Sequence, residues 1–415
     1  MYYGWVLVVT LGVTETISWG ILYYAFAVYL APMQAELGWS RGDMTGAFSA
    51  ALLLAGLTAI PVGRWLDRHG PRLLMTVGSI AATLLVLAWS RVGSLDQLYL
   101  AWAAIGLTMA ATLYDPAFAT ATRWFERQRV RALTAITLIA GFASTIFIPL
   151  AGWLVQLEGW RQSLVTLAII LAIGTIAPHA LLLRRRPEDL GLHPDGEPML
   201  QFRGEPSLQL RGEPSRPPGM PVGQALRHAS FRWLVVAFWL ATISTIAVGV
   251  HILPYLEDRG YDATFAASTT GLIGAMQVLA RLLLAPFGNR ANPRLLAASM
   301  LALQPISLAV LLLVRTTPGV FLFVVLFGAQ RGLSTLARPA LLADLYGRAE
   351  YASIAGVLQF FISLAQAAAP FGAGVAYDLS GSYEPVFWAL AVISALAVVA
   401  VLPARREPGE LQSHT

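Results

Sequence analysis

Twelve apolar runs divide this chain. Six lie near residues 5–31, 44–62, 73–91, 97–121, 132–156 and 162–183; six more lie near 232–255, 264–287, 295–314, 319–342, 352–376 and 384–403. Each is close to the roughly 20 residues that a helix needs to cross a bilayer. One polar stretch, 184–230, separates the two sets. It is rich in Pro, Gly, Arg and Glu and carries RGEPS twice, at 203–207 and 211–215, which reads as a duplication in a tolerant linker. The pattern predicts an all-α membrane protein with 12 transmembrane helices. Its parts are an N-terminal six-helix bundle over 1–183, a linker over 184–230, a C-terminal six-helix bundle over 231–403 and a tail over 404–415. The first run follows Met1-Tyr2-Tyr3 with no basic segment and no small-residue cleavage site. It reads as a mature first helix rather than a signal peptide.

The two sets are copies of one another. Gly38-Trp39 matches Gly260-Tyr261 at an offset of 222, and GRWLDRHGPRLL (63–74) matches APFGNRANPRLL (285–296) at the same offset. Pro116 matches Pro339, Pro149 matches Pro370 and Gly159 matches Gly381, each within one residue of that spacing. Two parallel six-helix halves joined by a linker are a carrier architecture. In such carriers the site lies near mid-membrane between the halves, and rocking exposes it to each side in turn.

Composition narrows the class further. Only 12% of the 415 residues are charged and 57% are hydrophobic, against about a quarter charged in a soluble domain. That argues against a soluble enzyme, a disordered chain or a nucleic-acid-binding domain. Cysteine is absent, so disulfides and thiolate chemistry are excluded. All 28 basic residues are arginine, so lysine chemistry is excluded as well. There is no nucleotide loop, HExxH or GxSxG motif, and the reading is of a non-enzyme without metal or cofactor. Placing 184–230 in the cytoplasm groups 20 loop arginines on that side. The other side then holds five, namely Arg41, Arg91, Arg161, Arg259 and Arg315. The bias predicts cytoplasmic termini in a multi-pass protein of a bacterial inner membrane.

At GRWLDRHGPR the chain resembles the major facilitator superfamily, whose signature between the second and third helices reads roughly G-x-x-x-D-R-x-G-R-[RK]. Gly63, Asp67, Arg68, Gly70 and Arg72 match it, and Pro71 departs. Gly70 would allow a tight turn, while Asp67 and Arg68 could pair across a cytoplasmic gate. In the second copy Asn289 and Asn292 replace the Asp and Gly. Within the superfamily the chain is similar to bacterial relatives of monocarboxylate transporters and oxalate/formate antiporters. That likeness rests on Tyr3-Gly4-Trp5, Gly38-Trp39-Ser40-Arg41, Trp124-Phe125-Glu126-Arg127-Gln128-Arg129, Gly159-Trp160-Arg161 and Arg186-Pro187-Glu188-Asp189-Leu190-Gly191-Leu192. Monocarboxylate transporters carry an Asp-x-x-x-Arg pair in the eighth span. Here that place reads Gln277-Val278-Leu279-Ala280-Arg281, with the arginine kept and the aspartate replaced. A first-span lysine of the animal members falls near Tyr23 or Tyr24. The resemblance implies the superfamily fold and a small carboxylate as substrate.

Ionisable side chains at membrane depth cost about 2.5–3.5 kcal/mol each on insertion scales and are site candidates by default. They are Glu15, Asp115, His251, Arg281, Arg331 and Arg338. Three fixed cations against two acids favour an anion. Arg281 is the first candidate for the substrate carboxylate, since a guanidinium binds carboxylate through two parallel hydrogen bonds; the alternative is an arginine that locks its helix to a neighbouring one. Gln277 lies one turn earlier on the same face. Asp115-Pro116 and Arg338-Pro339 occupy repeat-related kinks and suggest an ion pair across the cavity, either sensitive to state or permanently structural. Arg331, seven residues before Arg338, is a second anchor or a snorkelling residue. Glu15 shares a face with Trp19 and Tyr23 and is either a proton carrier or a neutral acid hydrogen-bonded to a neighbouring helix. Asp115 is a second proton candidate. His251 is a third, or a packing histidine at the outer end of its span. Tyr23, Tyr24, Tyr114, Gln330, Gln359 and Gln366 are possible cavity-lining donors. Small residues such as Gly152 and Gly372-Ala373-Gly374 suit helix contacts.

The leading expectation is a secondary transporter of a small, monocarboxylate-like organic anion, possible as a proton symport, working as a monomer. The alternative is an exporter of drug-like compounds, which the arginine excess disfavours. A membrane enzyme or a sensor on the same scaffold lacks the motifs or an output domain.

Overall fold

The computed structural model describes residues 2–196, 222–284, 293–346 and 351–403. Asn289, Asn292, both RGEPS copies and the tail lie outside the described residues, as does the side chain of Asp67. The described residues are helical throughout, with no strand among them. In the N-terminal half, α1 (Tyr3–Trp19) passes through a π-helical turn, Gly20–Tyr24, into α2 (Phe26–Leu37). Next come α3 (Arg41–His69), α4 (Pro71–Trp89), α5 (Leu95–Thr112), α6 (Tyr114–Trp124), α7 (Arg129–Ala140), α8 (Ala143–Leu171) and α9 (Ala177–Leu182). A short α10 (Val222–Arg227) precedes the second half. That half holds α11 (Ala229–Asp258), α12 (Ala263–Leu284), α13 (Pro293–Leu313), α14 (Thr317–Tyr346), α15 (Tyr351–Ser380) and α16 (Tyr383–Val401).

Among the described residues, ten segments are long and apolar enough to cross a membrane. One of them, Arg129–Leu182, is 54 residues long and turns back at Gly159, whose backbone is non-helical (φ 76°, ψ 164°). A shorter apolar helix, Ala297–Leu313, lies beside them. With the two arms of 129–182 taken as separate crossings, this accommodates the twelve expected spans.

The repeat read from the sequence has a backbone counterpart. Gly38 and Gly260 both adopt positive φ (69° and 85°), and so do Gly159 and Gly381 (76° and 68°). Each matched pair ends one helix and starts the next, a job that glycine does without Cβ strain.

Among the described residues the halves meet most extensively along two interfaces, α3 on α15 and α8 on α12, with a smaller contact of α2 on α11. The 222-residue offset carries α3 onto α12 and the first arm of α8 onto α15, so the two interfaces are pseudo-equivalent. Small residues make them tight. A Cβ on Gly374 would stand 3.0 Å from Gly42 Cα, and one on Gly274 would stand 2.8 Å from the Gly141 carbonyl. Gly372 has open space instead.

The Tyr2 hydroxyl donates to the Trp124 carbonyl (2.7 Å) and the Tyr3 hydroxyl to the Leu182 carbonyl (2.7 Å). The start of α1, the end of α6 and the end of α9 therefore share one face. Val401, at the end of α16, packs with Phe231 and Leu234 near the start of α11. The start of α1 and the end of α16 mark this face, called here the terminal face.

Candidate functional site

Between the halves, two arginines of the C-terminal half meet a wall of rings from the N-terminal half. Arg281 of α12 points its Nε at the Gly332 carbonyl (3.4 Å) and its Nη1 at the Thr137 carbonyl of α7 (3.5 Å). Arg331 of α14 reaches across to the Tyr24 hydroxyl with Nη2 (3.4 Å). Arg281 is also within electrostatic reach of Tyr24, Tyr114 and Arg331, and Arg331 within reach of Tyr23. These hydrogen bonds are long, and among the described residues neither guanidinium has a carboxylate partner. Gln277 sits one turn before Arg281 and is partly open.

The π turn explains how Tyr23 and Tyr24 both serve this place. A π-helical turn inserts one residue into the helical ladder. The residues beyond the insertion are rotated relative to those before it, and here Tyr24 reaches Arg331 by a hydrogen bond while Tyr23 lies within its electrostatic reach. The bulge begins at Gly20, against which Phe147 packs so closely that a Cβ would stand 2.2 Å from its ring.

The acids lie on the N-terminal side. Glu15 is completely buried, and neither carboxyl oxygen has a hydrogen-bond partner among the described residues. Trp19, one turn on, has an indole Nε1 in the same condition. Asp115 and Tyr114 are within electrostatic reach of Glu15. Asp115 does not form the expected ion pair with Arg338: among the described residues no such pair stands. The reason is local. The span breaks at Leu113, whose backbone is extended (φ −93°, ψ −161°). Asp115 therefore falls in the first turn of α6, where the helix N-terminus favours a negative charge. Arg338 lies on α14, partly buried, with a partner of its own.

His251 is removed from the arginines. It is fully buried, with Nδ1 facing the Tyr383 hydroxyl (2.8 Å) and Nε2 facing the Pro370 carbonyl (3.0 Å). Only an Nε2–H tautomer fits a carbonyl acceptor there. Both nitrogens are thus engaged in joining α11, α15 and α16.

The signature residues lie at the terminal face. Gly70 has φ 82°, as the tight turn requires, and a Cβ there would press on the Arg185 side chain at 2.7 Å. Arg72 donates to the Ala180 carbonyl (2.6 Å), and Arg123 to the Leu66 carbonyl (3.1 Å). Arg68 is exposed, and Gly63 has nothing within 4 Å of a notional Cβ. The described contacts of this loop stay inside its own half.

The bridge is on the opposite face, where sequence reasoning placed none. Arg41, 6% exposed, forms a two-toothed pair with Asp258 of the other half, at 3.0 Å for both bonds. Its Nε donates to Gln34 (3.0 Å), and its guanidinium lies 4.2 Å from the Tyr377 ring centroid and 5.0 Å from that of Tyr383. Asp378 accepts from the backbone N–H groups of Arg41 (3.2 Å) and Gly42 (2.7 Å), which are orphan donors at the start of α3. Closer to mid-helix, the Phe371 N–H donates to Ser49 (3.1 Å). The signal for this cluster was Gly38-Trp39-Ser40-Arg41, read only as a family mark.

The family model of the Major Facilitator Superfamily matches residues 11–332 and again 270–415, and the chain belongs to that superfamily. It is 24% identical over 388 residues to monocarboxylate transporter 13 of Bos taurus, spanning 93% of this chain and 85% of the relative. It is 26% identical over 402 residues to monocarboxylate transporter 11 of Mus musculus, spanning 93% and 83%. A bacterial homologue of the lysosomal transporter Spinster, solved inward-facing and occupied, superposes with TM-score 0.69 at 16% identity, over 97% of this chain and 95% of the other. The nucleoside transporter NupG superposes with TM-score 0.73 at 12% identity, over 96% and 100%. The chain is thus a multi-pass membrane transporter with the superfamily fold.

Proposed function

We infer that this transporter carries a small organic anion of the monocarboxylate kind by alternating access. The observation that carries the reading is the pair of guanidiniums, Arg281 and Arg331, between the halves with no carboxylate opposite them among the described residues. An unpaired cation in a low-dielectric site is costly, and a substrate carboxylate would relieve that cost. In this reading Arg281 is the principal anchor and Arg331 the second, with Gln277, Tyr23 and Arg338 as further substrate contacts. Glu15, buried and unpartnered, is the proton site of a coupled cycle, with Asp115 as its relay. The relatives' printed name, monocarboxylate transporter, points the same way.

The terminal face corresponds to the cytoplasm, because that assignment places the loop arginines inside. The Arg41–Asp258 cluster then closes the outer side, and the cavity opens inward. The protein works as a monomer in a bacterial inner membrane.

The test is counterflow in proteoliposomes with labelled small acids, with and without a pH gradient. Accelerated uptake of an acid by the unmutated chain, lost in Arg281→Ala and reduced in Arg281→Lys, is the expected result. Movement of neutral or cationic compounds with no flux of any acid would overturn the anion reading.

A further inference from the structure

The wall opposite the arginines has more aromatic surface than a two- or three-carbon acid can use. Trp19 stands 5.1 Å from Tyr114 and 5.2 Å from Tyr23, ring centre to ring centre. Tyr23 stands 5.1 Å from Tyr24, and Tyr114 stacks on Phe118 at 4.9 Å with 16° between planes. All five are only partly buried, although they lie on helices packed in the body of the protein. They come from two elements, the π turn with its preceding residue and the first turns of α6. Two backbone irregularities, the bulge at Gly20–Tyr24 and the break at Leu113, turn them to one place.

The rings and the cations are contiguous. Tyr24 touches Arg331 and lies within the field of Arg281, as does Tyr114. A carboxylate held by the guanidiniums must therefore direct its substituent either into the rings or back along the opening. Aromatic faces favour another ring, offset or edge-on, over water or a methyl group.

We propose that the substrate is an aryl monocarboxylate, with its carboxylate on Arg281 and Arg331 and its ring against Trp19, Tyr23 and Tyr114. This rests on the anion-carrier reading and goes beyond it by naming the substituent. Short aliphatic acids enter the same site but leave the wall uncovered. Each ring contact contributes about a two- to tenfold preference.

Competition during counterflow tests this with benzoate and phenylacetate, their saturated size match cyclohexanecarboxylate, and acetate and pyruvate. The expected order is aryl acids first, inhibiting at concentrations at least tenfold below those of acetate and pyruvate. Cyclohexanecarboxylate falls between, severalfold weaker than benzoate. In Tyr114→Leu and Tyr23→Leu the ratio of aryl to short-acid affinity collapses toward one, while Tyr114→Phe keeps it. Equal or better handling of acetate and pyruvate by the unmutated chain would sink the aryl assignment and leave the anion carrier standing. An unchanged ratio in both leucine variants would equally overturn it. No flux of any acid would remove both readings together. The comparison among acids on the unmutated chain decides the question even if a variant fails to fold.

Discussion

Arg41 and Arg281 are the same side chain in opposite situations. Arg41 sits on the face away from the termini with a bidentate carboxylate, an amide oxygen and two tyrosine faces around it. Arg281 sits between the halves with two long bonds to backbone carbonyls. Both join elements of different halves, yet one is saturated and the other is not. A saturated cation holds a conformation, because every donor has its acceptor inside the protein. An unsaturated one keeps donors available, and on the proposed function those donors meet the substrate carboxylate. Exposure alone does not separate them, since neither is fully open to water; the partner inventory does.

The largest effect should come from the unsaturated member. Arg281→Ala removes the anchor, and truncating one side of a desolvated charge pair costs about 2–5 kcal/mol. That corresponds to a fall in acid counterflow of roughly thirtyfold or more. Arg281→Lys keeps the charge but not the fork, and should recover part of the flux with a raised apparent KM. A flux unchanged in both variants would make Arg281 structural and erase the contrast with Arg41.

Arg41→Ala should move conformational balance more than substrate affinity. Losing one partner of a largely buried pair costs about 3 kcal/mol at most sites of this kind. Here the loss falls on the closed face away from the termini. The absence of cysteine from the chain supplies a clean readout, since Ser49→Cys gives the protein a single thiol beneath the cluster. Its labelling by a polar maleimide added on the side of that face should accelerate roughly tenfold in the Arg41→Ala background, with apparent KM for acid within about threefold. Labelling at the unmutated rate would show that the small-residue packing of α3 on α15 closes this face without the charges.

Glu15→Gln sharpens the contrast from the acidic side. The amide is nearly isosteric but cannot carry a proton. Counterflow without a gradient should survive within a few-fold, while acceleration by an imposed pH gradient disappears. Retention of that acceleration in Glu15→Gln, with its loss in Asp115→Asn, would transfer the proton site one helix over.

Much of this was legible in the residues alone. The spans, the repeat and its 222-residue offset came from apolar length and from glycines and prolines, whose backbone demands are local. Arg281 and Arg331 stood out because a charge at membrane depth needs a reason. What escaped the sequence was distance-dependent. Arg41 meets Asp258 from 217 positions away, and only the closure of two helices on each other brings them together. The π turn was hidden as well. A regular 3.6-residue helix puts Tyr23 on the face of Glu15 and Trp19; the residue inserted in the turn Gly20–Tyr24 shifts that register, and both tyrosines border Arg331. The Asp115–Arg338 pairing failed for a related reason. Two prolines at matched positions suggested symmetry, but the first copy breaks at Leu113 and places its acid at a helix start.

The smallest expected effect lies at the terminal face, where a charge is satisfied by backbone alone. Asp195 accepts from the N–H groups of Arg127 (2.8 Å), Glu126 (3.0 Å) and Gln128 (3.2 Å), tying the start of the linker to the turn before α7. Burial pushes its carboxyl up, but these N–H groups and the nearby Arg127 charge outweigh it and hold it below the ordinary 3.8. A carboxylate with a depressed folded-state pKa adds stability that is complete above the unfolded value and is lost as pH falls through the folded one. The contribution of Asp195 should therefore be present at neutral pH and vanish only below about pH 4. Asp195→Asn should lower thermal stability at pH 7 by the equivalent of about 1 kcal/mol or less, converge with the unmutated protein in strong acid, and leave acid counterflow unaltered. A transport defect in this variant, with stability unchanged, would mean that the linker takes part in the rocking of the halves, and that backbone-satisfied charges belong with Arg281 rather than with Arg41.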